Sequence, residues 1–116
     1  MIDGIFRLAY TGTEGTGFGL LVLLNGSIVG ADVSGGLYDG TYSEDLQTGK
    51  VRFSLNVAAP AGVPLVQTGV APTSPVNIPI TAYLDRDDLS SEKPILIKTH
   101  LGPVNVLFTK IRDYPT

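Results

Sequence analysis

The chain has 116 residues, a length typical of one domain, and we take residues 1–116 as a single unit. Hydrophobic residues make up 43% and charged residues 16%, which favours a folded domain with one core over a disordered chain. The net charge of −3 and the scattered Lys and Arg residues argue against direct nucleic-acid binding, and the absence of cysteine excludes disulfides, thiolate metal sites and cysteine nucleophiles.

Most of the chain shows the alternation or the short apolar runs of β-strands. These patterns predict strands over residues 2–10, 17–24, 27–33, 37–43, 51–57, 76–84, 95–101 and 104–111. Asn25-Gly26 lies between two of the apolar runs and favours a tight hairpin turn, because both turn residues tolerate positive φ. An apolar period of 3.6 residues does not persist for three turns at any point, so the chain is predicted to be all-β.

Three segments interrupt the strand pattern. Residues 58–75 contain four prolines, so they cannot form a long central strand, although a short extended piece at 65–68 fits the pattern. Pro79 lies within a predicted strand and favours an edge position for it, because proline donates no ladder hydrogen bond. Residues 85–94 form the one charged loop, with room for a single helical turn.

About eight strands in sequential hairpins lead either to a closed barrel or to a two-sheet sandwich. Closure removes the exposed edges, and eight strands enclose an interior that side chains can just fill. We therefore predict an antiparallel up-and-down β-barrel, with the sandwich as the alternative.

Several short motifs in residues 3–57 resemble the GrlR family of bacterial regulators, which are small lipocalin-like β-barrels. The matching segments are Asp3-Gly4-Ile5-Phe6, Gly17-Phe18-Gly19-Leu20-Leu21-Val22, Asn25-Gly26, Gly30-Ala31-Asp32 and Tyr38-Asp39-Gly40-Thr41-Tyr42. The resemblance implies a lipocalin-like barrel and a non-enzymatic negative regulator that represses transcription by binding a transcriptional activator, without contacting DNA.

The same resemblance implies a protein-binding site. In the best-known member of the family, an exposed acidic run of four residues follows the Y-x-G-x-Y strand and takes part in the partner contact. This chain has Glu44-Asp45 at that place, followed by Leu46-Gln47. Glu44 and Asp45 are therefore the expected partner-binding residues.

Six aromatic side chains are predicted to point into the barrel. They are Phe6, Tyr10, Phe18, Tyr38, Tyr42 and Phe53. They form a filled core or, in the alternative interpretation, line a cavity that binds a small apolar ligand. Each inward tyrosine hydroxyl then needs a hydrogen-bond partner, for which Asp32 and His100 are candidates.

No pattern of reactive residues predicts an enzyme. His100 is the only histidine, and no recognisable motif frames it, so a structural or surface role is favoured. The acidic loop 85–92 lacks the spacing of an EF-hand, and Gly17-Phe18-Gly19 lacks the third glycine and the helix of a dinucleotide site. We predict no catalytic residue, no metal and no cofactor.

The strand at 17–24 is apolar on both faces, which predicts an apolar patch outside the barrel. If Phe18 and its even-numbered neighbours point inward, Leu21 and Leu23 point outward, beside Val29 and Ala31 of the paired strand. Such a patch favours a homodimer. The alternative is that residues 58–75 fold back over this face.

The amino-terminal residues lack the pattern of a secretory signal peptide, since an acid at position 3 leads directly into a strand. The longest strongly apolar run, Phe18 to Leu24, is too short for a bilayer-spanning helix. We therefore expect a cytoplasmic protein without a membrane span, the alternative being a cleaved leader.

Overall fold

A computed structural model describes residues 2–115, which form eight antiparallel strands and one short 3₁₀ helix. The strands are β1 (Gly4–Gly12), β2 (Gly15–Leu24), β3 (Ser27–Asp32), β4 (Leu37–Asp45), β5 (Lys50–Ala59), β6 (Val76–Asp85), β7 (Ile95–Thr99) and β8 (Gly102–Asp113). The 3₁₀ helix, η1 (Arg86–Leu89), follows β6 in the charged loop, as the sequence allows. Across residues 2–115, no helix has the length and apolarity needed to cross a membrane.

The strands form one sheet that curls into a nearly closed barrel. Their order is β6-β5-β4-β3-β2-β1-β8-β7, so β1 pairs with β8 and the two ends of the sheet are β6 and β7. This confirms the predicted up-and-down barrel, and the sandwich alternative is wrong. Pro79 lies on β6, an end strand of the sheet, where the missing N–H is tolerated.

The barrel has two distinct ends. We call the end with the β1–β2, β3–β4 and β7–β8 turns the upper end, and the end with the β2–β3 and β4–β5 turns the lower end. The β2–β3 turn is Asn25-Gly26, whose φ angles are 50° and 83°, and Leu24 pairs with Ser27 across it. These positive angles are those that a tight hairpin turn requires, so the predicted hairpin is confirmed.

The two faces of β2 are the reverse of those predicted. Leu21 and Leu23 are only 3% and 0% exposed, whereas Phe18 and Leu20 are 52% and 47% exposed. Leu21 and Leu23 therefore fill the interior, and their predicted place in an outer patch is wrong. Phe18 is likewise outside, not in the cavity. The physical reason is the register. The residues of β2 that pair with inward residues of the neighbouring strands must themselves point into the barrel.

The register of β1 and β2 fixes this choice. Phe6 of β1 lies opposite Leu21, and Tyr10 lies opposite Gly17. Directly paired residues of an antiparallel sheet point to the same face, so the inward Phe6 brings Leu21 inward. The same rule applies across the next hairpin, where the buried Ile28 lies opposite Leu23.

Aromatic side chains fill the middle of the barrel, and the lower end is closed. The Phe53 and Phe108 rings meet edge to face with centroids 6.2 Å apart. Leu89 of η1 is 2% exposed and packs into the same core. Also at the lower end, the Tyr42 hydroxyl donates to Asp3 Oδ1, and the Asn25 amide donates to Asp3 Oδ2 at 3.3 Å.

Truncation of one leucine on each face of β2 should show which face is inside. Leu23→Ala should lower the free energy of unfolding by about 2–5 kcal/mol, because it removes buried methyl groups and leaves a cavity. Leu20→Ala, on the outer face of the same strand, should change the unfolding free energy of the monomer by about 0.5 kcal/mol or less. Urea unfolding of both variants gives the comparison, and equal losses would contradict the assignment of faces.

Candidate functional site

Residues 60–75 form a lid over the upper end of the barrel. The Glu14 amide donates to the Val66 carbonyl at 2.8 Å, which attaches the lid to the β1–β2 turn. Within the lid, Gly62 donates to the Pro72 carbonyl at 2.8 Å, and the Val66 side chain packs against the core. The lid therefore does not cover the outer face of β2, and that alternative is wrong. The predicted extended piece at 65–68 is also wrong, since Gly69 donates to the Leu65 carbonyl at 2.7 Å and closes a turn.

An apolar cavity of about 140 Å³ lies beneath the lid. Its walls are inward side chains of the strands, among them Leu8, Leu21 and Ile80, together with Val63 and Val66 of the lid. The middle and the lower end are filled, so the free space lies in the upper half of the barrel.

The six aromatic residues predicted to point inward occupy four different places. Tyr10, Tyr38 and Phe53 line the cavity. Phe6 is 2% exposed and packs in the core without lining the cavity. Tyr42 packs against the core and reaches Asp3 at the lower end, and Phe18 is on the outer surface.

The Asp32 carboxylate organises the polar part of the cavity. Its Oδ2 atom accepts hydrogen bonds from the hydroxyls of Tyr10 at 3.0 Å and Tyr38 at 2.7 Å. Its Oδ1 atom accepts from the backbone amides of Ser34 at 3.0 Å and Gly36 at 2.8 Å. Asp32 therefore joins β1, β4 and the β3–β4 turn, and of the two candidate partners it supplies what the tyrosines need. His100 is exposed in the β7–β8 turn.

Two glycines provide the space for this arrangement. A Cβ atom on Gly17 would overlap the Tyr10 ring, so the ring lies directly against the bare backbone of its cross-strand partner. A Cβ atom on Gly36 would lie 2.5 Å from Asp32 Oδ2. The glycine-rich motif that starts β2 thus serves the packing of an aromatic ring, which sequence analysis did not anticipate.

Burial keeps the tyrosine hydroxyls of the barrel protonated. Burial first, then the charge and the hydrogen bond of Asp32, raises the pKa of Tyr10 to about 12. Burial and the hydrogen bond to Asp32 also raise the pKa of Tyr38 above its usual value. At the lower end, burial and the hydrogen bond to Asp3 raise the pKa of Tyr42 to about 12. All three hydroxyls therefore act as hydrogen-bond donors at neutral pH.

A second candidate site is an apolar patch on the outer surface of β2, β3 and β4, which we call the outer apolar face. It consists of Phe18, Leu20, Val22, Val29, Ala31, Val33 and Leu37. The register makes it continuous, because Leu20 lies opposite Ala31 and Val22 lies opposite Val29, while Ala31 also lies opposite Leu37. Val29 and Leu37 are 56% and 55% exposed. Val29 and Ala31 thus face outward as expected, beside Leu20 and Val22 instead of Leu21 and Leu23.

The two acidic residues expected to bind a partner differ in their surroundings. The Glu44 side chain is only 10% exposed and forms an ion pair with Arg86 of η1, so it does not lie free on an exposed turn. Asp45 is exposed, and its Oδ1 accepts from the Gln47 amide at 2.9 Å within the β4–β5 turn. Of this pair, only Asp45 is placed to meet a partner.

The remaining acidic residues do not assemble a metal site. Asp85 pairs with Lys50 at 2.6 Å, and Asp88 accepts from the Asp85 amide at 2.9 Å at the start of η1. Within residues 2–115, no group of three or more His, Asp or Glu side chains is arranged to hold a metal ion.

Comparison with known proteins adds no assignment to these two sites. A scan against protein-family models finds no match, and a search of curated proteins finds none either. The candidates for function are therefore the ones that the geometry supplies, the cavity beneath the lid and the outer apolar face.

The tyrosine hydroxyls should make stability depend on alkaline pH. The folded protein keeps protons that the unfolded chain loses near pH 10, so this contribution is complete below about pH 10 and is lost as pH rises through about 12. We expect urea midpoints to fall steeply between about pH 10 and about pH 12 and to fall less steeply in Tyr10→Phe. Tyr83→Phe, which alters an exposed ring on β6, should keep the wild-type slope. Parallel slopes for wild type and Tyr10→Phe would contradict this.

A single methyl group should detach the lid. A Cβ atom on Gly12 would overlap the Val66 carbonyl, so Gly12→Ala should break the bond from Glu14 to Val66. We expect faster hydrogen exchange at the Glu14 amide. Gly15→Ala is the matched control, because its Cβ would lie at an ordinary 3.6 Å from the Val66 side chain. Identical exchange in both variants would contradict the lid contact.

Proposed function

We propose that this chain is a non-enzymatic regulatory protein that acts by binding other proteins. The observation that carries the proposal is the outer apolar face, where large apolar side chains of three adjacent strands remain exposed. Apolar patches larger than a few hundred Å² are uncommon on monomers and mark sites of association.

The first occupant that we propose for this face is a second copy of the chain. The register makes the outer apolar face continuous across β2 and β3, and a two-fold contact, the commonest kind in oligomers, brings each such patch against its equivalent. A homodimer would bury Phe18, Leu20 and Val29 and would remove the cost of exposing them to water.

The resemblance to the GrlR family indicates what kind of protein the further partner is. It favours a bacterial, cytoplasmic repressor that binds a transcriptional activator and leaves DNA untouched. The net charge of −3 agrees with the absence of a DNA contact. Asp45 is the acidic residue of the expected partner site that stays exposed, whereas Glu44 is held by Arg86.

Sedimentation equilibrium of wild type and of the double variant Leu20→Asp/Val29→Asp tests the dimer. We expect a wild-type dimer and a monomeric variant, because two carboxylates cannot be desolvated inside an apolar contact. Tyr83→Asp is the matched control, since Tyr83 is 72% exposed on β6, outside the outer apolar face. It should stay dimeric.

Circular dichroism must show that all three proteins are folded. A wild type that is monomeric at tens of micromolar contradicts the homodimer, and equal dissociation of the Tyr83 variant contradicts the assigned face.

A second candidate function is the binding of a small apolar ligand inside the barrel. The observation that favours it is the cavity of about 140 Å³, which lies between the strands and the lid, is partly open to solvent and is lined mostly by apolar side chains. Concave apolar space with a few converging polar groups is the usual form of a small-molecule site. This function and protein binding use opposite faces of the sheet, so one does not exclude the other.

A further inference from the structure

The cavity beneath the lid carries a single charge. Among the described residues that line it, Asp32 is the only charged one, and none is Lys, Arg or His. A ligand carboxylate would therefore lose its hydration without gaining a positive partner, and it would approach the negative charge of Asp32. The lining of the cavity therefore disfavours anionic ligands.

Asp32 and its four partners, Tyr10, Tyr38, Ser34 and Gly36, form what we call the Asp32 cluster. The hydrogen bonds within this cluster leave only hydrogen-bond acceptors free for a ligand. A carboxylate accepts at about four lone-pair positions, and Asp32 already accepts four bonds, from Tyr10, Tyr38, Ser34 and Gly36. Each tyrosine hydroxyl has one proton, and both protons point to Asp32. The Ser34 and Tyr38 hydroxyls lie within hydrogen-bonding reach of the Tyr10 oxygen, so the Tyr38 oxygen is the freer acceptor for a ligand, and neither tyrosine has a proton to offer one.

The other polar side chains of the lining do not reverse this preference. Thr99 is already engaged, because its hydroxyl donates to the Gly102 carbonyl at 2.7 Å and accepts from the Leu101 amide at 3.2 Å. Ser34 and Gln67 can both donate and accept, so they favour neither kind of ligand.

We propose that the cavity binds a small apolar molecule with one hydrogen-bond-donating head group, an alcohol or a protonated amine, and that it rejects carboxylates. This inference rests on the second proposed function, ligand binding, and names the ligand class. The head group lies against the Tyr10 and Tyr38 oxygens, near the Asp32 charge, and the apolar body fills the space between Leu21, Ile80 and the lid.

The volume limits the size of the ligand. An apolar cavity of about 150 Å³ in another protein accepts benzene, so a cavity of about 140 Å³ sets the scale at one ring with at most a short substituent. Benzyl alcohol and benzylamine have this size and carry a donor. Benzaldehyde has the same number of heavy atoms and accepts only, toluene has no polar head, and benzoate is the matching anion.

The test is a titration of the ¹⁵N-labelled full chain with these five compounds, followed by amide chemical shifts. The Ser34 and Gly36 amides donate to Asp32 and report binding at the cluster. We expect benzyl alcohol and benzylamine to bind roughly three- to tenfold more tightly than benzaldehyde, the gain from one hydrogen bond. Benzoate should cause no shift at these amides.

Asp32→Asn should abolish the preference for hydrogen-bond-donating ligands. An amide oxygen in the place of Oδ1 still accepts from Ser34 and Gly36, while the amide nitrogen donates to the tyrosine oxygens. The Tyr10 and Tyr38 protons then become free for a ligand, so benzaldehyde should gain affinity and the advantage of benzyl alcohol should vanish. Tyr83→Phe, far from the cavity on the outer surface of β6, should keep the wild-type order.

The outcomes separate the two levels of the proposal. If all five compounds bind equally, or if benzoate binds as well as benzyl alcohol, the donor preference is wrong and ligand binding stands. If none of them shifts any cavity amide of the folded wild type, both the ligand class and the second proposed function are wrong. The wild-type series alone decides this, even if Asp32→Asn does not fold.

Discussion

The upper half of the barrel depends on one carboxylate. Asp32 accepts two tyrosine hydroxyls and two backbone amides, and these four bonds connect β1, β4 and the β3–β4 turn. A partly buried carboxylate is tolerated in an apolar interior only when it is well hydrogen-bonded, so the partners and the charge require one another. The close contacts of Tyr10 with Gly17 and of Asp32 with Gly36 follow from this arrangement.

The two ends of the barrel solve the same packing problem differently. At the lower end, Asp3 binds Tyr42 and the β2–β3 turn, and Leu89 fills the remaining space. At the upper end, the proline-rich lid spans the opening without filling it, because among its side chains Val66 is the one that packs against the core. The free volume therefore lies where the polar cluster is, and this coincidence of shape and polarity makes the upper end the candidate ligand site.

The outer apolar face follows from the same strand that fills the interior. β2 is apolar on both faces, so closure of the barrel buries Leu21 and Leu23 and leaves Phe18 and Leu20 in water. The lid lies over the upper end of the barrel and does not cover Phe18 and Leu20. The outer apolar face and the inner wall that Leu21 and Leu23 form are thus separate consequences of one unusually apolar hairpin.

The sequence by itself determined the strands, the Asn25-Gly26 hairpin, the edge position of β6 and the candidacy of Asp32 as a tyrosine partner. These features depend on local alternation, turn chemistry and the need to satisfy a buried hydroxyl. Only the tertiary structure decided which face of β2 is inside, because a strand that is apolar on both faces carries no period-two signal. Once the structure places the β1–β2 turn at Thr13-Glu14, the clear alternation of β1 determines the inner face of β2, because directly paired residues share a face. The lid position and the ion pair that withdraws Glu44 from the surface join residues far apart in sequence, so local patterns could not reveal them.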